Sequence, residues 1–338
     1  MDKLPLESMT QRFFRRSAVN GEISLPAVPG LIDEYVTMCA DIFARVGRKF
    51  SDDEIAHLRS VLEGQLASAY SASPRSNIVI SYNAPVGSGL HYEVNPRWWT
   101  VEEAYENWIS TREPPLFGTE PDARVWALAN AATDPKAHRI LDIGAGTGRN
   151  ALALARRGHP VDVVEMTPSF AAMIRSDAAR ESLDVRVINR DVFTSKDDLR
   201  QDYQLILLSE VVSDFRTTQQ LRSLFELAAQ CLAPGGRLVF NAFLPRGSYT
   251  PDQAAREFGQ QQYTTIFTRD EMSTATNGLP LELVADDSVY EYEKEHLPPG
   301  AWPPTSWYES WVSGVDVFTI EREKSPIEMR WLVYRKTG

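Results

Sequence analysis

An apolar run, Ile140-Leu141-Asp142-Ile143, passes directly into Gly144-Ala145-Gly146-Thr147-Gly148 and then into Arg149-Asn150-Ala151-Leu152, which opens a helical stretch. Glycines at such a bend let the chain turn tightly and let a ligand approach the main chain. The helix N-terminus behind them favours a negative group such as a carboxylate. Two cofactor classes use this arrangement. The dinucleotide fingerprint is G-x-G-x-x-G/A. Gly144 and Gly146 fit its first two positions, but Arg149 stands at the sixth, where a large side chain opposes close helix–strand packing. The glycines instead alternate at 144, 146 and 148.

The run from Asp142 to Gly148 resembles motif I of the class I S-adenosylmethionine-dependent methyltransferases. By order of elements the likeness extends over roughly residues 120–338. The continuation Gly148-Arg149-Asn150-Ala151-Leu152 is similar to the tellurite-resistance and thiopurine-type small-molecule branch. The resemblance implies S-adenosyl-L-methionine as cofactor, with the loop passing under its methionine part. Asp142 is then expected near its amino group, and the glycine amides near its carboxylate. By the same likeness Gly144, Ala145, Gly146, Gly148, Asn150, Met166 and Ser209 join the cofactor-binding set.

Glu165 ends the apolar run Val161–Val164, 21 residues after Gly144. A carboxylate there, an acceptor with two oxygens, suits the two hydroxyls of a ribose. The alternative is an acid that stays wet at a strand end. Asp191 follows the run 185–189. The resemblance gives it the adenine amino group, with the Val192 amide beside it; the alternative is a cap, a common place for Asp. Ser209-Glu210-Val211-Val212-Ser213-Asp214 lies at the end of a fourth apolar run, where related enzymes place acceptor against cofactor. Glu210 or Asp214 is the candidate to orient the acceptor or remove its proton. The acid-proline-proline-tyrosine pattern of enzymes that methylate amino groups of DNA and protein is absent, which argues against methylation of nucleic-acid bases.

Two aromatic segments are candidates for the acceptor pocket. One is His91 to Trp99, with Tyr92 and Trp98, followed by Tyr105 and Trp108; the other sets Trp302, Trp307, Tyr308 and Trp311 among prolines near 293–314. Long Pro-rich loops are often lids. Aromatic walls exclude water and attract a cation such as a sulfonium. The same tryptophans could instead simply pack two regions together. His91 is a further candidate base, since histidine titrates near neutrality. No cluster of His, Cys and acids has metal-ligand spacing, so no metal is expected.

The elements that must position these residues follow from periodicity. Short apolar runs at 139–143, 161–165, 185–189, 204–209 and 237–243 alternate with helical stretches at 150–157, 169–179 and 219–231. That alternation predicts an α/β fold, a mostly parallel Rossmann-like sheet flanked by helices. Runs at 315–320 and 329–334, joined by Lys324-Ser325-Pro326, predict a C-terminal antiparallel hairpin. Residues 1–72 read as helices. Ile32, Tyr35, Val36, Cys39, Ile42, Phe43 and Val46 share one face, and Ser51 with Glu54, like Thr100 with Glu103, forms a capping box. A mainly helical cap over 1–118 and a cofactor domain over 119–338 are expected, divided near the Pro/Gly connector 112–121.

The 338 residues carry 35 basic and 46 acidic side chains, a net charge of −11. That balance argues against a nucleic-acid partner. No run approaches the length of a membrane span, and the stretch after Arg15-Arg16 lacks the apolar core of an export signal. Cys39 and Cys231 read as reduced thiols, and the location expected is cytoplasmic. The function expected is methyl transfer to a small-molecule acceptor, with specialised metabolism as the setting. A nicotinamide-dependent oxidoreductase and a catalytically silent cofactor-binding partner protein are the alternatives.

Overall fold

The computed structural model describes residues 4–87, 89–98 and 101–338, without the side chains of Leu4, Arg15, Val101, Glu102, Ala104, Tyr105 and Trp108. Contacts divide the chain into two units: Met1–Val101 with Asp252–Gln261, and Glu102–Pro251 with Gln262–Gly338. The connector at 112–121, where a boundary was expected, falls inside the second unit. Phe117 shows why. Its ring lies 5.8 Å from that of Phe170 and faces Gly146, both in the second unit.

In the first unit, α1 (Leu4–Arg15) leads to a strand, β1 (Val19–Pro26), where helix was expected. Val19, Gly21, Ile23 and Leu25 are the more buried alternate positions. That period of two is the signature of a half-buried strand. Helices α2 (Ile32–Arg45) and α3 (Asp52–Ala72) follow, then β2 (Asn77–Ala84) and β3 (His91–Arg97). The three strands form an antiparallel sheet in the order β1-β2-β3. Phe43, Leu58, Leu62 and Leu66 pack on Ile78 and Ile80, all fully buried. Each such side chain contributes about 1.5–3 kcal/mol. Ser51 and Glu54 make the expected reciprocal cap of α3; Thr100 lies outside the described residues.

In the second unit, α4 (Val101–Ser110) and α5 (Ala123–Asn130) precede the sheet. Then β4 (Ile140–Ile143), α6 (Arg149–Arg156), β5 (Val161–Val164), α7 (Pro168–Glu181), β6 (Val185–Ile188) and β7 (Tyr203–Leu208) alternate as expected. Every residue of β4 and β5 is buried, as in parallel strands covered on both faces. Helix α8 (Thr218–Cys231) leads into β8 (Leu232–Pro245), which takes in the Pro234-Gly235-Gly236 turn as an irregularity of its pairing with β7. Helix α9 (Gln253–Gln261) belongs to the first unit, where Glu257 accepts the Gly30 amide at 2.7 Å. Helix α10 (Arg269–Thr276), β9 (Leu281–Ser288), α11 (Val289–His296), α12 (Tyr308–Val312) and β10 (Ile327–Lys336) complete the chain.

The seven strands run in the order β6-β5-β4-β7-β8-β10-β9. β6 to β8 are parallel and β10 is antiparallel to both its neighbours. The antiparallel C-terminal arm is therefore present, but β10 pairs with 281–288 rather than with 315–320. The latter residues satisfy their backbone in local turns, Val317 N to Gly314 O at 3.3 Å and Ile320 N to Phe318 O at 2.7 Å. The order changes direction between β4 and β7. The carboxyl ends of strands at such a switch point open onto a crevice. Residues 144–148 and 209–214 leave the sheet there.

Candidate functional site

The bend after β4 is built on left-handed backbone: φ is +69° at Gly144, +55° at Gly146 and +84° at Gly148. Side chains are excluded there by their neighbours as well. A Cβ on Gly144 would stand 2.4 Å from Val211 Cγ2, and one on Gly148 would stand 3.0 Å from Ile174. Gly148 thus lets the start of α6 lie close against Ile174 of α7, and Arg149 at the sixth position turns elsewhere. The three glycine amides are all engaged: Gly144 N to Val164 O at 2.7 Å, Gly146 N to Glu165 Oε2 at 2.8 Å and Gly148 N to Ala145 O at 2.8 Å. The three amides expected near a ligand carboxylate thus each have an acceptor within the chain, and the bend carries no side chain at 144, 146 or 148.

Glu165 is pinned rather than wet. It is buried, and its other oxygen accepts the Thr167 amide at 2.8 Å. Burial raises its pKa, and the two backbone amides oppose the rise. Two accepted bonds leave lone pairs on both oxygens for further donors.

Asp142, next to last in β4, is 2% exposed, and its Oδ2 has no hydrogen-bond partner. Burial, with help from the charges of Asp122 and Glu165, pushes its pKa up to about 8. Arg149 is also buried. It donates to Asp122 Oδ1 at 2.7 Å and to Glu210 Oε1 at 3.1 Å. Asn150 exchanges two bonds with Asp122: Nδ2 donates to Oδ2 at 2.8 Å, and Asn150 Oδ1 accepts the Asp122 amide at 2.9 Å. Two carboxylates, those of Asp122 and Glu210, pair with this one guanidinium, and its charge also reaches the buried Asp142.

Glu210 adopts φ +63°, a conformation that costs a non-glycine residue about 1–2 kcal/mol. Its amide donates to Asn241 Oδ1 at 2.7 Å. Burial raises its pKa to about 7 against the pull of Arg149. Around it lie further polar groups with no partner: Ser209 Oγ, Asn241 Nδ2 and Tyr308 Oη. Glu293 closes the arrangement. Its carboxylate accepts the amides of Ala123 at 2.7 Å and Arg124 at 3.1 Å, and the Trp331 indole at 2.9 Å. It thereby caps the start of α5, next to Asp122.

The other expected residues divide. Met166 follows Glu165 and is half exposed. Asp191 is exposed and caps a short turn by accepting the Phe193 amide at 2.7 Å, with Val192 buried beside it. Asp214 stands half-buried in the turn 212–214. Trp307 and Tyr308 belong to an aromatic cluster with Trp302 and Trp311. In the first unit, Tyr92 packs against Phe43 and Phe50 at 6.1 Å, in the core. His91 is exposed on β3 opposite Asn83, and Trp98 is exposed. The side chains of Tyr105 and Trp108 lie outside the described residues. Sequence reasoning missed Asp122, Phe117, Asn241 and Glu293. Only Asn241 carries a local signal, as a lone amide in the apolar run 238–244. Among the described residues no cluster could hold a metal ion, and no helix is long and apolar enough to cross a membrane.

Four likenesses to known proteins bear on the chain. A family model described as a methyltransferase domain matches residues 140–236, which run from β4 into β8. Hemagglutinin 1 of Eikenella corrodens is 29% identical over 104 residues, 31% of this chain and 34% of that protein, so the match spans about a third of the relative's length. A solved geranyl diphosphate methyltransferase, in complex with GPP and sinefungin, superposes with a TM-score of 0.50 at 15% identity, covering 63% of this chain and 76% of that one. The 4+2 cyclase SpnF superposes with a TM-score of 0.45 at 15% identity, covering 64% and 80%. At such identities likeness to a solved structure shows the fold. The second unit has the Rossmann-like sheet of class I methyltransferases, with its antiparallel arm.

Proposed function

We propose that this chain, built on a methyltransferase domain, binds S-adenosylmethionine at the bend 144–148 and methylates a small molecule. The observation that carries the reading is Asp142: a carboxyl oxygen with no partner, buried where a side-chain-free bend leaves the sheet. An ammonium group is the natural complement of that oxygen. The cofactor's sulfonium also suits the carboxyl groups of Asp122, Asp142 and Glu210 near the bend. Asp142 would take the α-amino group, with Ala145 and Asn150 along the same bend and Ser209 across from it. Glu165 would accept the ribose hydroxyls on its remaining lone pairs, with Met166 beside it. Asp191 and Val192 would meet the adenine.

When bound, S-adenosylmethionine supplies an electrophilic methyl group, and the carbon–sulfur electron pair stays on sulfur as the acceptor bonds to carbon. The chain's own residues position the acceptor and take its proton. Glu210 is the base we favour, since a carboxyl titrating near neutrality is matched to that task. Asp214 is the second candidate. Arg149 keeps Glu210 from drifting further upward. Tyr308 and Trp307 would line the acceptor pocket. Tyr105 and Trp108, in the same unit, are proposed to contribute as well, and so are His91, Tyr92 and Trp98 of the first unit. The acceptor stays at the level of a small molecule, and the tellurite-resistance and thiopurine-like branch is the finer likeness proposed. We place the protein in the cytoplasm.

Titration calorimetry with S-adenosylmethionine, S-adenosylhomocysteine and NAD tests the reading. Binding of the first two without the third is expected. Binding of NAD alone would move the protein to the nicotinamide-dependent oxidoreductases. Radiolabelled S-adenosylmethionine with an extract of the protein's own cells then separates an enzyme from a silent partner protein.

A further inference from the structure

The amide of Asn241 has only one way to face. Its Oδ1 accepts the Glu210 N–H at 2.7 Å, and a backbone N–H cannot face the amide nitrogen. The Nδ2 group is therefore a donor, and it is wholly buried without an acceptor. Tyr308 Oη is likewise buried and without a partner. It lies close enough to Asp122, Glu210 and Glu293 that, after burial itself, their charges hold its proton on. Ser209 Oγ, next to Glu210 in the chain, adds a third donor with no partner. Buried polar groups are rarely left unpaired, and those that are call for a ligand or a water. The wall around the Glu210 carboxylate is thus rich in donors.

A simple amine would give Glu210 a proton but leave those donors unmet. Resting on the methyltransferase reading above, we infer that Asn241 and Tyr308 grip a carbonyl oxygen, and that the methyl acceptor carries its reacting hydroxyl beside that carbonyl, as in an enol or an ortho-acyl phenol. The hydroxyl passes its proton to Glu210. The oxygen electron pair so released bonds to the methyl carbon, and the carbon–sulfur pair departs with sulfur. The carbonyl oxygen accepts from Asn241 Nδ2 and Tyr308 Oη and is not consumed. Trp302, Trp307 and Trp311, with rings 5.8 to 6.3 Å from that of Tyr308, favour a planar apolar body on the acceptor.

The test is calorimetry on the full chain saturated with S-adenosylhomocysteine, using ortho-hydroxyacetophenone, phenol, acetophenone and benzylamine as probes. The hydroxy-carbonyl probe should bind at least about tenfold more tightly than the other three. Tyr308→Phe and Asn241→Asp should each weaken it by about tenfold or more. Asn241→Asp keeps an oxygen for the Glu210 amide, and Tyr308→Phe should leave the melting temperature unchanged or higher. Both variants should bind S-adenosylhomocysteine as the wild type does. Equal binding of all four probes, no binding of ortho-hydroxyacetophenone, or variants that bind it unchanged would overturn the inference. Failure of the wild type to bind S-adenosylhomocysteine would instead overturn the reading beneath it.

Discussion

The Glu165 carboxylate accepts the Gly146 backbone amide at 2.8 Å, so the acid ending β5 holds in place the bend that follows β4. Two sequence features 19 residues apart thus form one structural unit. The bend needs small residues, and the acid fixes the shape they take. A cofactor lying along the bend would meet preset backbone, which lowers the ordering cost of binding.

Gly146→Val tests the bend. A side chain there is strained at φ +55°, and its Cβ would stand 3.1 Å from the Phe117 ring. β-branched residues tolerate such backbone poorly. Calorimetry should show loss of S-adenosylmethionine binding by about 100-fold or more, roughly 2.7 kcal/mol. The first unit should keep its fold. Unimpaired binding would show that the bend is not the cradle.

Asp142→Asn separates binding from stability. The folded-state pKa of about 8 lies above the ordinary 3.8. Asp142 therefore contributes stability in full below about pH 4 and loses it as pH rises through about 8. The ligand-free wild type should lose melting temperature between pH 6 and pH 9 more steeply than the variant does. At pH 8 the variant should be the more stable by at least about 1 kcal/mol, some 2–4 °C. It should nonetheless bind S-adenosylmethionine far more weakly. Affinity of the wild type should rise with pH up to about 8, and binding below that should release a proton, read from calorimetry in buffers of differing ionisation heat.

Glu210→Gln tests the base. General-base removal costs about 10²–10⁴ in kcat. The wild-type kcat/KM should climb as pH rises through about 7 and then level off, because the carboxylate form is the active one. The variant should lack that limb while binding S-adenosylmethionine with affinity close to wild type. A preserved limb would transfer the role to Asp214.

Arg149→Met removes the guanidinium between Asp122 and Glu210. Breaking a buried pair from one side costs about 3–5 kcal/mol, since the abandoned charges stay buried. Thermal unfolding should reveal the loss. Where the variant folds, the alkaline-rising limb of its pH profile should move to higher pH, as Glu210 loses the charge that opposes burial.

Much of the second unit is legible in the sequence because parallel strands and their helices differ in period. The runs at 140–143 and 161–164 are apolar but for Asp142 and Asp162, and both strands are buried on two faces. The glycines at 144, 146 and 148 and the acid at 165 follow from that register. What the residues near them do is less visible. Asp122 and Glu293 are separated by 171 positions, yet both meet at the start of α5, where Glu293 accepts the Ala123 amide. No local pattern marks either. The strand at 19–26 does carry a period of two, with Asn20, Glu22 and Ser24 alternating with Val19, Gly21, Ile23 and Leu25, but Gly21 among its inward positions weakens the apolar signal. The run at 315–320 alternates too, but its backbone is spent on turns after Gly314, whose φ is +73°.

The most direct measurement is a crystal structure of the chain with S-adenosylhomocysteine. The α-amino nitrogen should lie within hydrogen-bond distance of Asp142 Oδ2, and the ribose hydroxyls should donate to Glu165. Density for the ligand elsewhere, or an Asp142 Oδ2 still without a partner beside the bound ligand, would contradict the assignment.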